Sequence, residues 1–471
     1  MSPVRDRGAR PAIIPMEGSR PLSASNSLGS RLLRALRGVL APVLILIVAS
    51  VGVVGYQVSH PRALSPYDEY VYVDYLAKIP TEGVVRTGEK TGDTARQALA
   101  CLGVQWYTIK VQPCSGKDFS DDAVYPYQGY TGADIYTPAY FAVTWVLAQP
   151  LMWFGVDLVE AGRMVGAFWL ALGTVGIWLL VRLLRADPLW GLVLGLVVIV
   201  TPAVTWSATY ISTDAPSLAA GAWMGCLGVW AWSRYRAALI LLPVGAIVAV
   251  MLKLQNFAAV GAVALALLVG VLAERSSPQG PAVRRNRFAR LFTDGRALSA
   301  IAAVVLALAA QVAWLAYRSA IRLPGPGATV DTHQQPLTAY ALITESFRFL
   351  GSVGGPVDRS GSFAVALSGV LVALTLASLI GLIVGYRVWG VRNLVLAASV
   401  LVVALLLGPV LAFFARLTVG YYVPLSERYG LSLLGLFMAL IAVYLSAALG
   451  RRPVNRADGL ALSAPVTEDV R

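Results

Sequence analysis

Ten separate apolar runs, each long enough to cross about 30 Å of hydrocarbon as a helix, decide what this 471-residue chain can become. They fall at roughly 39–58, 163–184, 188–204, 214–233, 236–254, 257–273, 297–317, 363–386, 393–415 and 431–449, and an eleventh apolar stretch lies at 138–156. With 57% hydrophobic and only 13% charged residues, the chain reads as an all-α polytopic membrane protein with a bundle of about 10 (10–11) transmembrane helices.

The net charge of +13 does not point to nucleic acid, because no contiguous basic groove with interleaved aromatics accompanies it. Its distribution reports topology. If 138–156 spans, then RLLR at 182–185, SRYR at 233–236, the run from Arg275 to Arg296, YRVWGVR at 386–392 and Arg451-Arg452 all lie opposite the Arg-rich N-terminal arm. That arrangement breaks the rule that cytoplasmic loops carry the positive charge. If TPAYFAVTWVLAQPLMWFGV lies along the outer interface instead, as its Tyr and Trp content allows, every arginine cluster falls on one side.

The expected layout follows. A disordered cytoplasmic arm covers 1–38, with no cleavage pattern of a secretory signal after it, and the first span is 39–58. An extracytoplasmic loop with an interfacial helix at 138–156 covers 59–162. A bundle at 163–449 contains a cytoplasmic linker, 274–296, and an outer loop, 318–362, and a cytoplasmic tail covers 450–471. The Gly/Pro-rich stretch 322–362 reads as a connector, the alternative being a lid or wall over a cleft.

This topology gathers ionisable residues on the outer face: the acidic pair Asp68-Glu69, then Arg163, Asp214, Lys253 and the pair Glu427-Arg428, all near helix ends. Charges next to hydrocarbon are costly, so they line a cleft or snorkel to the headgroups. Asp214 has a second reading as a helix cap, shared with Ser212 and Thr213, ahead of Pro216. The tyrosines of SPYDEYVYVDYL either stack on a ligand or belong to the interfacial aromatic belt, and the pattern suits helix and strand alike. A cleft of this kind can take a proton from an acceptor hydroxyl with a carboxylate while cations stabilise a departing lipid phosphate. Glycosyl transfer from a polyprenyl phosphate sugar needs that division of labour.

Several classes are disfavoured. No phosphate-binding Gly-x-x-x-x-Gly-Lys-Ser/Thr loop is present, nor an Asp-x-Asp motif of nucleotide-sugar enzymes. His60 and His333, the only histidines, sit far apart in outer loops and read as surface residues. Asp118, Asp121 and Asp122 read as a solvated turn, the alternative being a divalent cation site. Cys101 and Cys114 share the first outer loop, so a disulfide is expected if that loop faces an oxidising compartment; the alternative is two free thiols.

In order, ALSPYDEYVYVDYLAKIPTEG, GYTGADIYTPAYFAVTWVLAQPL, AGRMVGAFWLALG, TPAVTWSATYISTDAPSLAAGA, MLKLQNFAAV and SERYGLSLLGLF resemble the GT-C superfamily of membrane glycosyltransferases, and within it the actinobacterial membrane proteins that carry domain of unknown function 2142. The resemblance covers most of 39–449 and implies a helical bundle whose large first outer loop carries interfacial helices and a catalytic Asp or Asp-Glu pair, here Asp68 and Glu69. It places the proline-aromatic motif on Tyr136, Pro138 and Tyr140, the arginine of the next span on Arg163, the lysine on Lys253 and the late Arg-Tyr on Arg428 and Tyr429. Tyr67 separates Pro66 from Asp68, Tyr72 stands where many relatives have histidine, and Tyr136-Thr137-Pro138 replaces a His-Pro-Pro pattern.

The resulting expectation is a GT-C-type transferase on the outer face of a bacterial plasma membrane, with both termini cytoplasmic. It would move a sugar from a polyprenyl-phosphate donor to a cell-envelope glycan or lipid acceptor. Asp68 is the expected base and Glu69 its neighbour or substitute; Lys253, Arg428 and Arg163 would bind the donor phosphate; Tyr72, Tyr136, Tyr140, Asp214 and Tyr429 would line the cleft. No cofactor is expected beyond an optional divalent cation. The rival readings are a transporter or flippase for an amphipathic lipid, which would show broken spans and internal repeats, and an inactive lipid-binding scaffold.

Overall fold

The computed structural model describes residues 28–60, 62–66, 68–116, 118–274, 287–325, 335–350, 362–386, 390–419 and 422–449. Residues 1–27 of the expected arm, 275–286 of the linker, the tail 450–471, Tyr67 and His333 lie outside the described residues. The chain divides into two compact units, 1–44 and 45–471. The first is represented by the start of helix α1 (Leu28–Val58), which begins well ahead of residue 39, where the apolar run itself starts.

Seven helical stretches among the described residues are long and apolar enough to span a membrane: Gly38–Val58, Leu158–Leu183, Leu254–Ala273, Gly295–Ala320, Ser362–Val384, Val391–Leu417 and Glu427–Ala448. The protein is therefore an all-α polytopic membrane protein. These stretches contain α5 (Leu158–Met164) with α6 (Gly166–Leu183), then α11 (Phe257–Ala273), α12 (Gly295–Ala320), α14 (Ser362–Val384), α15 (Val391–Val419) and α16 (Leu431–Ala448). The expected span 188–204 is a bent pair, α7 (Pro188–Ile199) and α8 (Pro202–Thr209), meeting at 64°. Pro202 lacks an N–H and disfavours helical geometry at Thr201, which is extended at ψ 142°, so the helix cannot run through. The expected spans 214–233 and 236–254 are the shorter helices α9 (Ser217–Trp232) and α10 (Arg236–Leu252).

The stretch 138–156 forms α4 (Ala139–Trp153), 15 residues long. At about 1.5 Å per residue it covers roughly 22 Å, short of the hydrocarbon thickness.

Helix α16 is the centre of the bundle, with every residue from Leu431 to Val443 buried. A helix apolar on all sides belongs there. Glycines set the contacts: a Cβ on Gly221 of α9 would collide with the Ser432 carbonyl of α16, so these backbones touch.

Antiparallel connectivity then sorts the charges. Arg234 pairs with Asp294 (3.2 Å), Arg296 with Glu274 (2.6 Å), and Arg392 donates to the Leu184 carbonyl (3.2 Å), all at one end of the helices. Arg163, Asp214, Lys253 and Arg428 come out at the other.

Over that second end lies the large first loop, with α2 (Glu69–Glu82), α3 (Asp93–Leu102) and α4. Val71, Tyr72, Val73, Tyr75 and Leu76 are fully or almost fully buried, and Tyr75 stacks on Phe141 of α4 at 4.1 Å. Arg96 ties the distal part down through Phe119 O (2.6 Å) and Asp122 (2.5 Å). Asp118 and Asp121 cap their own turns by accepting from Ser120 N (2.9 Å) and Ala123 N (3.1 Å). Cys101 and Cys114 are joined by a disulfide with a Cα–Cα distance of 4.4 Å.

Candidate functional site

Asp68 stands immediately before α2 in a left-handed backbone conformation, φ 66° and ψ −1°, and does not cap the helix with its side chain. A non-glycine residue in that region carries strain, which persists where neighbours over-determine it. The helical reading of SPYDEYVYVDYL is the one adopted, so Asp68 and Tyr72 sit one turn apart on a shared face. The Tyr72 hydroxyl lies 3.4 Å from Asp68 Oδ2 and donates to the Tyr136 hydroxyl at 3.0 Å, while Thr213 donates to Tyr72 at 3.4 Å. Burial first, and the nearby Tyr136 and Asp68 after it, hold the Tyr72 phenol well above its ordinary pKa. Burial does the same for Tyr136. Both phenols therefore stay protonated and available as donors.

From the turn Glu427–Gly430 just before α16, Arg428 reaches Asp68 Oδ2 through Nη2 (2.9 Å) and Asp214 Oδ2 through Nη1 (3.5 Å). Lys253 Nζ closes the chain on Asp214 Oδ1. Asp214 is not the cap of α9: it accepts from Ser212 Oγ at 3.3 Å as well as from the two cations. Lys253 follows the last residue of α10 with extended geometry, φ −163°, and this break turns its side chain onto Asp214. Tyr429 brackets the cations, its ring centroid 5.4 Å from Lys253 Nζ and 5.7 Å from Arg428 Cζ. Two carboxylates and two cations are thus balanced in one chain, Asp68, Arg428, Asp214, Lys253.

Exposure separates the members. The Asp68 side chain is 34% exposed and Arg428 14%, whereas Lys253 and Asp214 are each at 1%. An incoming molecule meets Asp68 and Arg428 first.

Glu69, next in sequence, belongs to another constellation. Its carboxylate is fully buried, accepts from Arg163 Nε (2.8 Å) and Nη2 (2.9 Å), and also takes Ser65 N (2.7 Å) and Ile211 N (2.9 Å). Arg163 spends further donors on the carbonyls of Arg62 (3.3 Å) and Ala63 (3.1 Å). The structure therefore brings Asp68, Lys253, Arg428, Tyr72, Tyr136, Asp214 and Tyr429 together, and sets Glu69 and Arg163 beside them as a closed pair. Tyr140 accepts from Ser212 N (3.0 Å) and so bolts α4 to the Asp214 loop.

Sequence reasoning did not assign Thr213 to the Tyr72 network, nor Arg62, whose guanidinium covers the Tyr210 ring at 4.2 Å. Thr213 had been readable only as a possible cap. Among the described residues no group of three His, Cys, Asp or Glu converges as a metal site. Of the histidines, His60 lies at the end of the first helix with Nδ1 2.7 Å from the Tyr56 carbonyl.

No family model and no curated protein matches this chain. Among solved structures it is similar to the Archaeoglobus fulgidus oligosaccharyltransferase tethered with an acceptor peptide containing the NVT sequon via a disulfide bond, at 14% identity and a TM-score of 0.39. That similarity covers 88% of this chain and 50% of the other, so the chain spans about half that protein's length.

Proposed function

We propose that the protein is a membrane glycosyltransferase of GT-C type that moves a sugar from a polyprenyl-phosphate donor to a hydroxyl acceptor of the cell envelope, on the extracytoplasmic side. The observation that carries the reading is the linkage of a third-exposed Asp68 to Arg428, and through Asp214 to Lys253, at the end of the bundle opposite the arginine clusters. The sidedness rests on those clusters being cytoplasmic.

In this reading the acceptor oxygen attacks the anomeric carbon and the bond from that carbon to the phosphate oxygen breaks. The hydroxyl proton passes to the Asp68 carboxylate, and the bonding electrons leave with the polyprenyl phosphate. Charge builds on the leaving phosphate, and Arg428, the outermost cation, lies where it can receive it. Lys253 stands behind it and neutralises Asp214, which holds Arg428 in place. Tyr72, kept protonated, stands 3.4 Å from Asp68 Oδ2 and is held there by its bond to Tyr136. Glu69 and Arg163 have a supporting role: they fasten the start of α2 to α5 and to the backbone before α9.

A transporter reading is favoured by one feature, the 64° break between α7 and α8. The continuation of α8 leads through Tyr210 to Ile211, whose N–H binds Glu69, so the break also serves to place the site.

The deciding assay gives purified protein in lipid nanodiscs a panel of radiolabelled polyprenyl-phosphate sugars with cell-envelope acceptors and compares Asp68→Asn with the native chain. Transfer that falls by two orders of magnitude or more, about what a positioned base contributes, supports the transferase. Absence of transfer with every donor, alongside tight lipid binding by both proteins, makes it a binding scaffold; lipid movement across sealed proteoliposomes that is unchanged in Asp68→Asn makes it a flippase.

A further inference from the structure

Helix α13 (Ala339–Arg348) lies in the outer loop between α12 and α14, and its middle carries a carboxylate that the site described above does not use. Glu345 is fully buried. Its Oε1 accepts from the Tyr422 hydroxyl (2.5 Å) and from Leu425 N (3.2 Å), and its Oε2 pairs with Arg348 Nε (2.5 Å). Leu425 is three residues before Arg428, and the intervening Ser426 carbonyl accepts Tyr429 N (3.1 Å) at the turn Glu427–Gly430. The Tyr422 carbonyl is held as well, by Gln335 N at 2.9 Å. Phe349, Ala412, Tyr422 and Leu425 form a small apolar core around these bonds, with Tyr429 packed against it. The helix is seated firmly: a Cβ on Gly408 of α15 would collide with the Glu345 carbonyl oxygen.

We infer that Glu345 is a positioning residue for Arg428, a buried anchor that fixes the segment 422–428 so that the guanidinium falls between Asp68 and Asp214. An extended segment such as 422–426 has no helical ladder to satisfy its own backbone, so its path must be set from outside. A buried carboxylate is costly unless its lone pairs find donors, and here both donors to Oε1, the Tyr422 hydroxyl and Leu425 N, come from the segment that delivers the arginine, while Arg348 of the same helix serves Oε2. The outer loop that carries α13 is then more than a connector. It holds the segment that brings Arg428 to the site. The role in donor handling rests on the transferase reading; the anchoring does not.

Two measurements on the full chain separate these. Hydrogen–deuterium exchange compares the native protein with Glu345→Gln and with the milder Tyr422→Phe, which removes one hydroxyl. Glu345→Gln is expected to speed exchange across 424–430 by about tenfold or more, Tyr422→Phe by less, with α9 and α11 unchanged, since loss of a charged hydrogen bond weakens local closure by that order. Steady-state transfer then compares Glu345→Gln, Arg428→Lys and the double variant. A positioning role predicts a donor KM raised about tenfold in Glu345→Gln, and a double variant no worse than Arg428→Lys alone. Unchanged exchange at 424–430 in both single variants overturns the inference whether or not the chain transfers sugar. Additive losses in the double variant overturn it too. If the native chain transfers nothing, the donor reading fails and exchange at 424–430 alone decides the anchoring.

Discussion

Glu69 and Arg163 close on each other through two hydrogen bonds of 2.8 and 2.9 Å, with side chains 0% and 5% exposed. Removing one partner of a buried ion pair leaves the other uncompensated, at a cost of roughly 3–5 kcal/mol. Glu69→Ala is therefore expected to lower thermal stability strongly, while Asp68→Asn, at a carboxylate a third exposed, is expected to change it by no more than about 1 kcal/mol and to abolish transfer. Unfolding midpoints of the two variants in the same detergent test the distinction. Equal midpoints for both would reverse the division of roles between the adjacent acids.

Lys253 and Asp214 form the inner half of the charge chain, each 1% exposed. Lys253→Met strands Asp214 with Arg428 as its remaining cation, and a cost of about 3 kcal/mol is expected. Replacing both residues, Lys253→Met with Asp214→Leu, removes the stranded charge, so the double variant should be more stable than Lys253→Met alone. It should still lose activity, because Arg428 keeps Asp68 but loses Asp214 as a counter-charge. A double variant less stable than the single one would show that the pair contributes more than it costs to bury.

Backbone contact between α9 and α16 depends on the absence of a side chain at Gly221, where a Cβ would strike the Ser432 carbonyl. Gly221→Ala must push the helices apart, and overpacking of a tight core costs roughly 1–3 kcal/mol. The same displacement carries Asp214, just before α9, away from Arg428, just before α16. Activity is expected to fall along with the midpoint. A variant with a native midpoint and native activity would mean that the two helices tolerate a wider separation than their packing suggests.

The helical apolar runs and the charges at their ends were legible because a charged residue at the edge of an apolar run stands out against everything around it. The break at 201–202 carried a signal as well, a threonine before proline inside an apolar run, but hydropathy averages across such a break. The separate fates of Asp68 and Glu69 were not legible. Asp68 precedes α2 in a left-handed conformation while Glu69 begins the helix, so one turned to Arg428 and the other to Arg163, and only the packed positions of partners some 360 and 94 residues away decide which. Glu345 was hidden for the same reason: its partners Tyr422 and Leu425 lie 77 and 80 residues on, beyond α14 and α15.

The first loop, between α1 and α5, should show an acid-sensitive joint at Glu89. Burial alone raises its carboxyl, but the hydrogen bonds from Lys78 Nζ (2.6 Å) and Arg86 N (3.0 Å) outweigh it and hold the group below the ordinary value of 4.5. A carboxyl depressed in the folded state contributes stability above its unfolded value, and that contribution is lost as pH falls through the folded one. Asp74, joined to the same lysine at 3.1 Å, has the opposite sign: burial raises its carboxyl, so protonation relieves it on acidification. At pH 7 Glu89→Gln is expected to cost about 1–3 kcal/mol, the range for a hydrogen bond to a charged group. The gap between variant and native chain should narrow once pH drops below about 4.5, and midpoints measured from pH 7 to pH 3 would show the two curves converging. Curves that stay parallel over that range would mean that Glu89 does not titrate differently in the folded and unfolded loop.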